Sequence, residues 1–297
     1  MTGIDGRAQG EGFITVEGPN LQARLSRAAQ TARERTPGRR FLTVYAFNAR
    51  PGVAIDVKNE RLPGGVGGDL EVIIDRAAGT ITFFHGTKVV VGSKVETRNL
   101  GVFMLHEPDG GAVSQVEIHD LSAPRAYSGH PVYWLGRAGT AESLALLQRL
   151  VESGGGGGLV ERAAVAIALH QDAQLAPVLR KLFEGSRSEV VRKIAAFWFG
   201  QSSADSSFLA AVVRNEDESV GVRKQAAFSI GVGKDSNAVS VLRAVYTAVS
   251  HREVKKQIIY AASINVDKRA AADFIAGVAD GDPDSELRKE ARFWLGR

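Results

Sequence analysis

The hydrophobic and polar positions of this chain change period near its middle. In the first half, apolar residues come in short runs broken by glycine, proline and aspartate. Phe13-Ile14-Thr15-Val16 reads as a strand. Leu21, Leu25, Ala28, Ala29 and Ala32 then follow at helical spacing, with Asn20 as a natural N-cap and Thr36-Pro37-Gly38 as the stop. Phe41 to Phe47 is rich in β-branched and aromatic residues and reads as a strand covered on both faces. Further strands are expected at 53–57, 70–74, 80–85, 88–91, 101–106 and 112–119. Turns are expected at 75–79, 85–86, 92–93 and 109–111, a glycine-rich loop at 63–68 and a linker at 121–129. The expectation for residues 1–127 is a mostly antiparallel β-domain with one helix, α+β in class.

The second half is periodic at helical spacing and repeats itself. Val191-Arg192-Lys193-Ile194-Ala195-Ala196-Phe197-Trp198-Phe199-Gly200 returns as Val222-Arg223-Lys224-Gln225-Ala226-Ala227-Phe228-Ser229-Ile230-Gly231. It returns again from Val254 and from Leu287, and an earlier copy starts at Val160. The copies begin 31, 31, 32 and 33 residues apart. A second apolar helix lies between successive copies, so each unit reads as helix–turn–helix, and stacked units would share a continuous core. Tyr133-Trp134-Leu135-Gly136 matches the Phe-Trp-Phe-Gly end of the phrase, which places the start of the array near 128. The expected organisation is 1–127 and 128–297.

Asp217 with Val222-Arg223, Ala226-Ala227 and Ile230-Gly231, and Asp282 with Leu287-Arg288, Ala291 and Leu295-Gly296, carry a resemblance. Residues 128–297 resemble HEAT repeats, in the short bacterial form related to the PBS-lyase-type repeats. The resemblance implies an all-α solenoid of stacked helix pairs. It implies that Arg223 bonds Asp217, that Arg288 bonds Asp282, and that Arg192 holds the same place in its own repeat. Ser186 and Val249 depart from the pattern where an aspartate would stand. HEAT arrays serve many processes. A non-catalytic scaffold that binds another protein is the first expectation. A lyase or chaperone-lyase for a prosthetic group and a nucleic-acid binder are the alternatives.

Charge sharpens this only at one place. The 297 residues carry a formal net charge of +4, 44% hydrophobic and 24% charged residues, and no cysteine. Disulfides, thiolate metal sites and cysteine nucleophiles are therefore excluded. The excess of cations is not concentrated, except that each repeat sets two basic residues together. The first of each pair is assigned to the repeat ladder. The second, Lys193, Lys224, Lys256 or Lys289, has no structural duty in the pattern. These lysines form either a solvated face or a strip for an acidic protein partner, with nucleic acid less favoured. Trp134, Trp198 and Trp294 share one slot and read as packing residues.

No catalytic motif, metal set or cofactor fingerprint is present. Gly154 to Gly158 lacks the strand before it and the Lys-Ser/Thr after it that a phosphate loop needs. The glycines at 64–68 lack dinucleotide-binding spacing. Asp69 with Glu71, and Glu117 with Asp120, have the alternation of a solvent face. The six histidines show no ligand spacing. Residues 1–10 carry no apolar run of the secretory kind, and no stretch approaches a membrane helix. As written the chain is expected in the cytoplasm, or outside it if a signal has been removed.

Overall fold

The computed structural model describes residues 12–55, 71–75, 80–84, 88–91, 97, 99–122, 129–156 and 158–296. The expectations for residues 1–10, the 63–68 loop, the turns at 76–79, 85–86 and 92–93, linker positions 123–128, Asp69 and His85 lie outside the described residues. The chain forms two compact units, 1–173 and 174–297. The division falls after two helices that the sequence reading assigned to the repeat array.

The first unit contains β1 (Phe13–Thr15), α1 (Leu21–Arg35), β2 (Phe41–Ala46), β3 (Val53–Ile55), β4 (Glu71–Asp75), β5 (Thr80–Phe84) and β6 (Lys88–Val91). It continues with β7 (Leu100–His106), β8 (Val113–Asp120), β9 (Val132–Arg137), α2 (Thr140–Glu152) and α3 (Leu159–Ala168). The Asn20 side chain accepts from Ala23 N at 2.8 Å, so α1 starts where its cap predicts. β3, β6, β5 and β4 form an antiparallel sheet in that order. The larger sheet has the order β1-β9-β2-β7-β8.

That larger sheet is mixed, and the reason is β9. Tyr133-Trp134-Leu135-Gly136, expected to end a repeat helix, is strand. It lies between β1 and β2 and runs parallel to both. Tyr133 and Leu135 are fully buried, and Val132 joins a cluster with Val44 and Phe103 that half-buries Trp134. An alternating segment that is apolar on both sides suits a central strand. β2 is correspondingly buried along nearly its whole length. α1 packs on β2, β9 and α2, while α3 packs on α2 and β8. α2 and α3 thus belong with the sheet.

The regular elements of the second unit, among the described residues, are all helices. Its helices are α4 (Leu175–Gly185), α5 (Glu189–Gly200), α6 (Ser207–Arg214), α7 (Val220–Gly231), α8 (Ala238–Ala248), α9 (Arg252–Ile264), α10 (Lys268–Gly281) and α11 (Ser285–Leu295). α5, α7, α9 and α11 pack one on the next, and α6, α8 and α10 do likewise. Each even-numbered helix also packs on the odd-numbered helix that follows it. Ser188 and Ser219 cap the repeated phrase by accepting from Val191 N and Val222 N. Ala195, Ala196, Ala226, Ala227, Ala261 and Ala262 are fully buried and keep the helices close.

Glycine closes the junctions. A Cβ on Gly200 would lie 2.6 Å from Ser229 O, and one on Gly231 would collide with Ala261 O. Lys234 N donates to Gly200 O at 3.0 Å, and Asn265 Nδ2 donates to Gly231 O at 2.8 Å. In these two copies the terminal glycine of the phrase is therefore a backbone-contact residue.

Candidate interaction face

The second basic residue of each phrase falls on α5, α7, α9 or α11, and the four differ. Lys193 Nζ pairs with Glu189 Oε1 at 2.8 Å, one turn back, and its side chain is only 15% exposed. The pair lies over Gly221 of α7, where a Cβ would meet both side chains. Hydrogen bonding from Lys193 is the main cause that holds the Glu189 carboxyl below its ordinary range. Lys256 pairs with Glu253 at 3.4 Å and is 30% exposed on its side chain. Lys224 is half-buried and Lys289 exposed, and neither has an ion pair among the described residues. The four lysines are brought to equivalent positions, but two are neutralised by acids of their own helices.

The first basic residue turns toward its own repeat or the next one. Arg192 forms an ion pair with Glu218, whose side chain is 3% exposed, and lies 5.0 Å over the Phe183 ring of α4. Arg223 is buried and donates through Nε to Val213 O of α6 at 2.9 Å; its Nη2 has no hydrogen-bond acceptor among the described residues. Asp217 is exposed and does not pair with it. Arg288 donates to the backbone carbonyls of Asp282 (2.6 Å) and Pro283 (3.0 Å). The Asp282 carboxylate instead accepts from the Tyr246 hydroxyl at 2.7 Å and from Asp284 N at 2.9 Å. Burial, and secondarily this bond to Asp282, push the Tyr246 hydroxyl above its usual range. Lys255 places its ammonium 4.6 Å over the Tyr246 ring. The expected Arg–Asp carboxylate ladder is replaced by Arg–carbonyl, Arg–Glu and cation–π contacts, each reaching a neighbouring helix or loop.

Four residues beyond each lysine stands an aromatic ring: Phe197, Phe228, Tyr260 and Phe293. Phe197 and Phe228 are near-parallel at 6.4 Å, as are Phe228 and Tyr260. Tyr260 then meets Trp294 at 4.9 Å, and Trp294 meets Phe293 edge-on. Exposure rises along the row, from a fully buried Phe197 to 47% at Phe293. The sequence reading singled out the tryptophans and missed this row, although the Lys-x-x-x-aromatic spacing puts both on one helix face. Of the tryptophans, Trp198 is fully buried, Trp134 belongs to β9, and Trp294 is half-buried with Nε1 donating to Glu290 at 2.7 Å.

The strongest resemblance to catalytic machinery is sealed in the first unit. His170 Nδ1 donates to Ala166 O at 2.7 Å, which leaves Nε2 to accept from Ser143 Oγ at 2.7 Å. Ser143 in turn accepts from the Tyr45 hydroxyl at 2.9 Å. All three are fully buried, and Phe47 stacks on the imidazole at 4.3 Å. Burial lowers the His170 pKa to about 4 and raises that of Tyr45. A serine–histidine bond without access for a substrate is a core hydrogen-bond network. Thr43 and His106, bonded at 2.8 Å, form a second one, and burial again lowers the histidine to about 4. Glu117 is engaged by Gln115 and His119 on β8. Among the described residues no three His, Asp or Glu side chains converge to hold a metal, and no described helix is long and apolar enough to cross a membrane. The chain matches no protein-family model, and no curated protein matches it.

Proposed function

We propose that the second unit is a HEAT-like solenoid and that the chain acts as a protein-binding scaffold through the α7–α9–α11 face. The observation that carries this reading is the paired row on those helices. Lys224, Lys256 and Lys289 run beside Phe228, Tyr260 and Phe293, and the aromatic side becomes more exposed toward α11. Cations beside aromatic surface suit an acidic segment that also carries apolar anchors, because long-range attraction and burial then act at one place. Lys193 and Lys256 contribute less than their sequence positions suggest, since Glu189 and Glu253 already pair with them.

The test is a pull-down with the full chain and with Lys224→Glu/Lys256→Glu/Lys289→Glu, both checked for an unchanged melting temperature. Partners retained by the wild type should be lost from the variant. Equal retention by both would sink the reading. Tight, steeply salt-dependent binding to heparin by the wild type would reassign the face to nucleic acid.

A further inference from the structure

A second candidate site lies in the first unit, independent of the scaffold reading, at the carboxyl ends of the parallel strands β1, β9 and β2. Sheet ends of this kind are common ligand positions. The pairing of β2 with β9 skips here, from Val44 opposite Trp134 to Ala46 opposite Arg137. Leu135 and Gly136 form a bulge, with Gly136 at φ 72°. Arg24 of α1 fills the back of this bulge, donating to Leu135 O and Arg137 O. Its charge is matched by Glu142, 3.8 Å away. In front of the bulge is a cleft of about 240 Å³, walled by Trp134 and rimmed by Thr15, Glu17, Asn99 and Arg137.

The cleft carries charge of both signs. Arg137 is anchored through Nη1 to Phe47 O (3.1 Å) and Asn48 Oδ1 (3.2 Å), while its Nη2 and Nε have no acceptor among the described residues. The Glu17 carboxylate is exposed and without a partner among the described residues. An anchored guanidinium with an open edge is suited to a carboxylate. A carboxylate on the same rim disfavours a dianion and favours an ammonium.

We propose that this cleft binds a small zwitterion of the amino-acid class, with its carboxylate on Arg137, its ammonium toward Glu17 and its side chain against Trp134. The probe is L-leucine, titrated into the full chain and followed by the Trp134 indole resonance. A saturable shift is expected, with a dissociation constant on the order of 1 mM. Arg137→Gln should weaken it about tenfold or more. Glu17→Gln should weaken L-leucine but strengthen 4-methylpentanoate, which lacks the ammonium. Glu17 is exposed, so that variant decides the matter even where Arg137→Gln disturbs the fold. No saturable shift with L-leucine, or equal effects of Glu17→Gln on both probes, overturns the proposal.

Discussion

Gly200→Ala and Gly277→Ala are the same chemical change on helices of the same unit, yet they should move stability in opposite directions. Replacing glycine by alanine in a helix is intrinsically favourable by about 0.5–1 kcal/mol. Gly277 lies exposed on α10 with no atom within 4 Å of a new Cβ, so that gain should appear nearly whole. At Gly200 the new Cβ would lie 2.6 Å from Ser229 O and 3.3 Å from Ser229 Cβ. The obstacle is helix backbone, which cannot swing aside as a side chain does. Overpacking of this kind costs about 1–3 kcal/mol. The shift would also strain the Lys234 N to Gly200 O and Gln201 Nε2 to Val232 O bonds at the same junction, each worth about 1 kcal/mol. The net expectation is a loss of about 2 kcal/mol for Gly200→Ala. For a unit of this size that is a fall in melting temperature of roughly 8 °C, against a rise of roughly 3 °C for Gly277→Ala. Urea and thermal denaturation followed by far-ultraviolet circular dichroism measure both. Equal signs for the two variants would refute the claim that the repeat glycines are backbone-contact positions.

Arg192→Ala should destabilise by about 3 kcal/mol in the same denaturation assay, because it strands the buried Glu218 carboxylate. Asp217→Ala should change stability by less than about 0.5 kcal/mol, since Asp217 is exposed and does not hold Arg223; a large loss would restore the expected Arg–Asp ladder. Arg223→Met should be neutral or stabilising, as it removes a buried cation whose Nη2 has no acceptor among the described residues. Acid stability depends on His170 and His106, whose folded pKa values of about 4 lie below the unfolded value near 6.5. Below pH 6.5 the unfolded chain binds the protons that the folded core refuses. Their contribution is therefore complete above pH 6.5 and is lost as pH falls toward 4, with a slope of about 1.4 kcal/mol per pH unit for each histidine. Hydrogen bonds to the Ala166 and Ile167 backbone, and after them the charge of Asp172, partly oppose the shift at His170. His170→Gln should flatten the pH dependence of the urea midpoint by about one proton's worth, and an unchanged slope would remove His170 from the account.

Much of the fold is written locally. Asn20 caps α1, the strands of the first half fall within a residue or two of their apolar runs, and the Ala-Ala-x-x-x-Gly core of the phrase marks the close helix contacts. The lysine pairing was legible too, since Glu189 precedes Lys193 by four residues and Glu253 precedes Lys256 by three. Other features were not legible. Arg192 finds Glu218 from the following repeat because helix stacking, and not sequence spacing, brings the two together. Arg137 meets the carbonyl of Phe47 only because β9 is inserted beside β2.

The tetrapeptide misread at 133–136 shows where local pattern stops deciding. Tyr133-Trp134-Leu135-Gly136 and Phe197-Trp198-Phe199-Gly200 have the same order of aromatic, tryptophan, apolar residue and glycine, yet one is strand and the other helix. Three large apolar or aromatic residues and a glycine satisfy either period, because a fully buried strand and the buried end of a helix both demand apolar side chains on every side. What separates them lies upstream. The helical copy is preceded by Val191-Arg192-Lys193-Ile194-Ala195-Ala196, in which Arg192, Lys193, Ala195 and Ala196 are good helix formers, in a helix capped by Ser188. The strand copy is preceded by Gly129-His130-Pro131, and Gly129 has a left-handed φ of 71°. Pro131 has no amide hydrogen, and it disfavours helical geometry in His130. Its carbonyl accepts from Leu42 N at 2.9 Å, so the proline begins the pairing of β9 with β2. The glycines then serve different ends. Gly200 lets two helices touch, whereas Gly136 takes positive φ and makes the bulge in front of which the Trp134–Arg137 cleft opens.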